Sequence, residues 1–420
     1  MRPGRLIALV AIAACAVPSA TPTPERVRPG RLAQDAGDKT IRVLLSSNTS
    51  TARISSPDGL MLTQRDGSLV ARVFANQVWR VEHEGRRVRA IRPDGVGTIW
   101  SDGALVARAS ANGLLSLDGK PYRGDVMFSG TDSGVSVVNV VKIDDYLRGV
   151  IPLEIGTTAL ADSAAVQAQA VTARSYAYIH LSTDPRQSWD VTGGTLDQVY
   201  GGVAAETPVG SEAVESTRAQ VLKYAGRVVN APYHSTCGGT TAAASEIWRS
   251  NDEPYLQRVS DRIPGSSRYY CDLAPRFRWT RTIDGPALTA ALAQYLATYT
   301  SVPNRTPGTA RDVTIGSHTP SGRVGTVTIT TDRGNFVVRG NDARFVLRQP
   351  GGEILNSTYF SVETTSAPDG SIARLTLHGM GYGHGVGMCQ SGAIGRARAG
   401  QDYRTILRTY YPGTTVGSAD

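Results

Sequence analysis

Residues 162–180, DSAAVQAQAVTARSYAYIH, carry the strongest helix signal in the chain. Asp162 and Ser163 offer capping side chains at the start, and the pattern that follows has a period near 3.6 residues. Ala165, Ala168, Ala173 and Ala177 line it with small side chains, a seam that lets a neighbouring element approach closely. Ahead of it, residues 135–143 (VSVVNVVKI) form an apolar run of the kind that becomes a buried strand. Between strand and helix, Asp144 and Asp145 read as the cap of a short helical turn over Tyr146 and Leu147, with Pro152 following.

Working outward, residues 41–141 show short apolar runs broken by turn pairs: IRVLLSS, then Pro57-Asp58-Gly59, GSLVARVFA, and VWRVE closed by Glu84-Gly85. LLSLDGKPYRG carries Asp118-Gly119, a hairpin turn signal. A β-rich module built from hairpins is expected, with its boundary drawn at residues 38–121. Toward the C-terminus, residues 286–299 predict a helix with proline in its first turn. RDVTIGSH, RVGTVTITT and NFVVRG predict strands, with Asp332-Arg333-Gly334 turning the last hairpin. Residues 386–398 and 402–410 read as helices, stopped by Gly400 and by Pro412-Gly413. Strands and helices mix without βαβ alternation, so the fold class is α+β, a β-rich N-terminal module followed by a mixed domain over residues 122–416.

Of 420 residues, 40% are apolar and 19% charged, which excludes wholesale disorder. The 45 glycines and 22 prolines agree with many turns. No apolar run reaches the roughly 18 residues of a membrane-spanning helix. The net charge is +8, carried by arginine far more than by lysine: only Lys39, Lys120, Lys142 and Lys223 are lysines. The planar guanidinium suits carboxylates and phosphates, so an anionic partner and a genomic composition bias both explain the excess. No basic stripe interleaved with aromatics points to nucleic acid.

Arg2 and Arg5 precede an apolar core from Leu6 to Val17 and a small-residue exit, which reads as a secretory signal over residues 1–20. Ile12-Ala13-Ala14-Cys15 also matches a lipobox, in which Cys15 would be lipidated; the short apolar core favours plain secretion. Residues 21–37 read as a flexible tether. The protein is expected outside the cytoplasm, secreted or periplasmic, with membrane attachment only through Cys15. Cys237, Cys271 and Cys389 remain, an odd number in an oxidising compartment, consistent with one disulfide plus a free thiol or with a metal site. Spacings of 34 and 118 residues, without C-x-x-C, make zinc a weak claim from sequence alone.

Three stretches are denser in polar groups than a core would choose. In residues 144–178, Glu154 sits between Leu153 and Ile155, where apolar flanks raise a carboxyl pKa toward that of a general acid; an ion pair with Arg148 or Arg174 is the plainer alternative. Gln198-Val199-Tyr200 and Pro232-Tyr233-His234-Ser235-Thr236-Cys237 suit polar loops beside a cleft, with His234 a hydroxyl partner, a metal ligand or a structural residue. Residues 378–400, HGMGYGHGVGMCQSGAIGRARAG, have glycine at every second position from 379 to 387, so a ligand or another segment can approach the backbone. The helix that follows could face an anion with its N-terminus. Templates for zinc proteases, α/β-hydrolases and P-loops are absent.

Together these stretches resemble the stage II sporulation protein D family, which includes the amidase enhancers. The matching segments are YLRGVIPLE, AVQAQAVTARSYAY, YHSTCGGTTAAASEIW with PYLQRV, and GYGHGVGMCQSGAIGRARAG with ILRTYYPGT. The resemblance implies a domain with a substrate cleft that acts as a lytic transglycosylase on peptidoglycan glycan strands, with no cofactor and no metal. Glu154 would be the acid/base; Arg174, Gln198, Tyr200, His234, Ser235, Thr236, Tyr382, His384 and Gln390 would bind sugars. The cysteines that hold zinc in some relatives are missing from DVTGGTLDQVYGG, so that site is not inherited. Two other classes stay open: a non-catalytic wall-binding module that stimulates a cell-wall amidase, and a metal-dependent hydrolase using His234, His384 and the cysteines. No second carboxylate has a motif-like setting near Glu154, and Cys237–Cys271 is the preferred disulfide.

Overall fold

The computed structural model describes residues 39–110, 113–184, 186–349 and 351–419. The signal and tether of residues 1–37, with Cys15, lie outside the described residues. Hairpins dominate the first hundred residues, as the turn pairs predict. Asp118 and Gly119 adopt φ of +50° and +84° and join the strands Leu115–Leu117 and Lys120–Tyr122. A two-residue turn with both φ values positive matches the right-handed twist of its strands. A seven-stranded sheet contains, in spatial order, Val191–Thr192, Thr40–Thr49, Val135–Lys142, Asp125–Gly130, Leu105–Ala109, Leu60–Gln64 and Leu69–Val73. A five-stranded sheet holds Arg87–Ile91, Trp79–Glu84, Thr51–Ser55 and the hairpin at Asp118. Alternation decides the faces: Trp79 and Val81 are buried while Arg80 between them is exposed.

Val135–Lys142 is almost wholly buried, and its fully buried Asn139 has its side chain fully used. Asn139 donates to the carbonyls of Arg123 and Asp125, at 2.9 Å each, and accepts from the Tyr200 hydroxyl at 2.9 Å. The strand runs directly into helix α1 (Ile143–Ile155), which is longer than the single turn expected and carries Pro152 within it. Helix α2 (Ser163–His180) crosses α1, and its alanine seam is completely buried. Helix α3 (Pro208–Ser216) covers the pair.

One buried cluster extends from Ile41 to Tyr411, so the division drawn between residues 121 and 122 falls inside a shared core. A separate cluster gathers Ile283 to Leu377 instead. There helix α4 (Gly285–Tyr299) packs beside the sheets Arg278–Asp284/Ile372–Met380/Phe360–Ser366 and Ala310–His318/Val324–Thr331/Gly334–Arg339. The chain is a mixture of many strands and fewer helices, consistent with α+β.

Two expectations need correction. Residues 386–389 do not begin a helix: Met388–Cys389 pairs in parallel with Tyr233–His234, and helix α5 starts afterwards, at Gln390–Arg398. Gly387, at φ +70°, turns the chain where any Cβ would strike the Pro232 carbonyl. Arg174 does not face a cleft. It is 1% exposed; its Nε meets Asp144 at 2.9 Å, and its other nitrogens donate to the carbonyls of Val214, Thr217 and Gln220. The side chain thereby ties α1, α2 and α3 together, and Asp144 is an inward ion-pair partner rather than a cap.

Removing one partner of such a buried pair leaves an uncompensated charge. Asp144→Ala should therefore cost about 3–5 kcal/mol of stability, read from urea unfolding. An unchanged unfolding midpoint with weakened glycan binding would return Arg174 to a sugar-binding role.

Candidate functional site

Glu154 lies on the last turn of α1, at the wall of a cleft of about 500 Å³ that Gln198, Tyr233, His234, Ser235, Tyr382, His384 and Gln390 also line. Its Oε1 accepts the Val199 N–H at 2.8 Å, and the Tyr233 hydroxyl also bonds the carboxyl. Neither arginine of the plainer reading pairs with it. Arg148 turns to Glu215 and Asp145, and Arg174 to Asp144. Burial raises the pKa of Glu154, and the two hydrogen bonds, which favour the ionised form, only partly offset it.

A chain of hydrogen bonds fixes which way the protons point. The Tyr146 hydroxyl donates to Gln198 Oε1 at 3.2 Å, and Gln198 Nε2 donates to the Tyr233 oxygen at 3.1 Å. Tyr233 accepts there, so its own proton is free for Glu154. Gln198 is buried beneath the cleft and orients Tyr233. Gln390, the first residue of α5, donates to the Glu154 carbonyl at 3.0 Å and so fixes the end of α1.

The glycine segment packs closely against the strand before Cys237, and Gly383 also lines the cleft. A Cβ on Gly383, at φ +109°, would lie 2.8 Å from His234 Cβ. The amides that open α5 are also taken: Ser391 donates to the Ser235 carbonyl at 3.0 Å and Gly392 to Cys389 Sγ at 3.3 Å. These two amides are not available to an anion. His384 is satisfied on both sides, Nε2 donating to the Tyr233 carbonyl at 2.9 Å and Nδ1 accepting from Val386 at 3.1 Å. His234 uses Nδ1 on the Val386 carbonyl at 3.1 Å, and its buried Nε2 has no hydrogen-bond partner among the described residues. Burial first, and the Arg323 charge second, lower its pKa to about 3. It is a neutral ring with an acceptor to spare.

Tyr200 and Thr236 lie outside the cleft lining. Tyr200 is spent on Asn139 and packs on Tyr146 with ring centroids 5.1 Å apart. Thr236 forms a backbone bridge with Tyr382 behind the cleft. Among the described residues no disulfide joins the cysteines: Cys237 Sγ and Cys271 Sγ lie 3.5 Å apart. Neither histidine belongs to the group that the cysteines make with Asp261.

A sequence profile described as a stage II sporulation protein matches residues 131–224, the stretch that holds Glu154, α2 and the Gln198 loop. A profile for a domain of unknown function matches residues 268–387, over the second cluster. An uncharacterized protein of Brachyspira hyodysenteriae is 30% identical over 302 residues, 72% of this chain and 73% of that protein. The amidase enhancer of Bacillus subtilis is 30% identical over 336 residues, 72% of this chain and 45% of the enhancer. The stage II sporulation protein D of the same organism is 27% identical over 299 residues, 67% of this chain and 76% of that protein. The chain belongs to the stage II sporulation protein D family. It spans less than half of the amidase enhancer's length.

In this family member the residues that line the cleft without having been expected as site residues include Tyr176, Asp197, Tyr233 and Trp248. Tyr233 adjoins His234 within a segment already singled out, and Trp248 closes the same segment, so both had a signal. Asp197 is the second carboxylate whose absence was expected. Burial acts to raise its pKa, yet it stands below the ordinary value because Thr192 N–H, the Tyr176 hydroxyl and the Thr192 hydroxyl donate to it, at 2.8, 2.7 and 2.8 Å. Among the described residues, no helix is long and apolar enough to cross a membrane.

A raised pKa in the fold means that Glu154 contributes stability while protonated and loses it as pH rises through the folded value. Glu154→Gln cannot ionise. The variant should melt above the wild type near neutral pH, and the gap should close as pH falls toward about 4, the ordinary glutamate range. Scanning calorimetry across that range checks it.

Proposed function

We propose that the protein is a lytic transglycosylase acting outside the cytoplasm on glycan strands of peptidoglycan, with Glu154 as its single acid/base group. The observation that carries this reading is a half-buried carboxyl with a raised pKa, free of Arg148 and Arg174, at the wall of a cleft of sugar-binding size. Val199 N–H and the Tyr233 hydroxyl hold the carboxyl at the cleft wall, where its proton is available to the glycosidic oxygen. Glu154 then accepts the proton of the muramic C6 hydroxyl, which attacks the anomeric carbon within its own ring. Attack by a tethered hydroxyl gains from effective concentration and needs no ordered water. Trp248 and Tyr382 offer aromatic surfaces to sugar rings. Membership of the stage II sporulation protein D family supports a cell-wall role.

The second reading is a wall-binding module that stimulates a cell-wall amidase; the 30% identity to a protein named amidase enhancer favours it. In that case the cleft binds glycan and Glu154 is dispensable.

Incubation with glycan strands stripped of stem peptides distinguishes them. Glu154→Gln should lower turnover by about 10²–10⁴ while glycan binding persists. Products should end in 1,6-anhydro-muramic residues, lighter by one water than hydrolysed ends and resistant to borohydride. Reducible muramic ends would make Asp197 the base of a muramidase. Wild-type turnover in the variant would end the Glu154 mechanism, and no turnover by the wild type would leave the enhancer reading.

A further inference from the structure

We propose that Cys237, Asp261, Cys271 and Cys389 form a structural zinc site behind the cleft. The three Sγ atoms and one carboxylate oxygen lie within 4.8 Å of one another, and all four residues are fully buried. A tetrahedron with Zn–S bonds of about 2.3 Å has edges of about 3.8 Å. Cys237 Sγ lies 3.5 Å from Cys271 Sγ and 3.9 Å from Asp261 Oδ2, so little movement is needed to close on an ion.

The surroundings treat these groups as ligands rather than as apolar filling. Asp261 Oδ1 is held by the Tyr410 hydroxyl at 2.7 Å and by Arg396 at 3.0 and 3.2 Å, and Oδ2 faces the sulfurs. A ligating carboxylate is fixed in this way, by hydrogen bonds to the oxygen the metal does not take. Backbone N–H groups point at the sulfurs: Cys237 and Gly392 donate to Cys389 Sγ at 3.2 and 3.3 Å, and Gly239 donates to Cys237 Sγ at 3.4 Å. Cys389 is also the N-cap of α5, where the helix end favours a thiolate.

With an ion bound, three thiolates and a carboxylate would carry four negative charges. Arg396 is one cation against them. Arg323 is another, 1% exposed, bonded at 2.9 Å to the Cys237 carbonyl and at 3.0 Å to that of Thr240. A divalent ion supplies the remaining two. Thiolates with one carboxylate in a four-coordinate array suit zinc, and four protein donors leave no open position for water, which marks a structural ion rather than a catalytic one. The ion would tie the segment after His234, the segment before Gln390 and the turn Tyr270–Leu273 into one unit, holding residues that line the cleft. This inference does not depend on whether Glu154 is catalytic.

The full chain, purified without chelator from medium containing zinc, should hold one zinc per molecule by elemental analysis. The thiols of Cys237, Cys271 and Cys389 should react only after denaturation with a chelator present. Cobalt substituted for zinc should give the near-ultraviolet charge-transfer absorption of thiolate ligation, a measurement that needs no variant. Cys271→Ser should lose the zinc, whereas His234→Asn should keep it. A chain without stoichiometric zinc, a Cys237–Cys271 disulfide in an unreduced digest, cobalt lacking the thiolate band, or zinc retained by Cys271→Ser would each overturn the assignment.

Discussion

Two rungs of parallel pairing, Tyr233 with Met388 and His234 with Cys389, are the constraint on which the cleft depends. They bring a C-terminal segment against one from mid-chain and set both beside the end of α1. From this pairing Gln390 reaches the Glu154 carbonyl, and Tyr233 reaches the Glu154 carboxyl. The alternating glycines serve it. Side chains at Gly383 or Gly387 would hold the segments apart. Glycines lose more conformational freedom on folding than other residues, so the segment needs strong tertiary contacts to stay ordered. The His384 ring, bonded at both nitrogens, is one such contact.

Local pattern was legible in the sequence, and long-range pairing was not. The hairpin at Asp118, the buried strand before α1, the alanine seam of α2 and the helix after Pro286 all follow from periodicity and turn chemistry. The helix expected from residue 386 starts late because pairing with residues 233 and 234 overrides local propensity. Long-range pairing also crosses the division drawn: Thr40–Thr49 finds its partner at Val135–Lys142. Arg174 illustrates a different limit. A guanidinium fork fits a sugar carboxylate and an aspartate with three carbonyls equally well, and residue type alone cannot choose. The four-residue cysteine and aspartate group is invisible to spacing, because separate segments supply it.

Two carboxyls share the cleft and are driven apart in acidity. Both lose hydration, which opposes ionisation. Glu154 recovers two hydrogen bonds, too few, and its pKa rises. Asp197 has both oxygens engaged, Oδ1 by Tyr176 and Oδ2 by the backbone and hydroxyl of Thr192, and its pKa falls. Divergent environments of this kind separate acid from base roles. A charged Asp197 is nonetheless a poor activator of water, since its lone pairs already serve its own loop. Its remaining asset is charge, which favours a positive centre developing in the cleft. Under the proposed reading, one group moves a proton beside another that supplies only a field, and the substrate brings its own nucleophile.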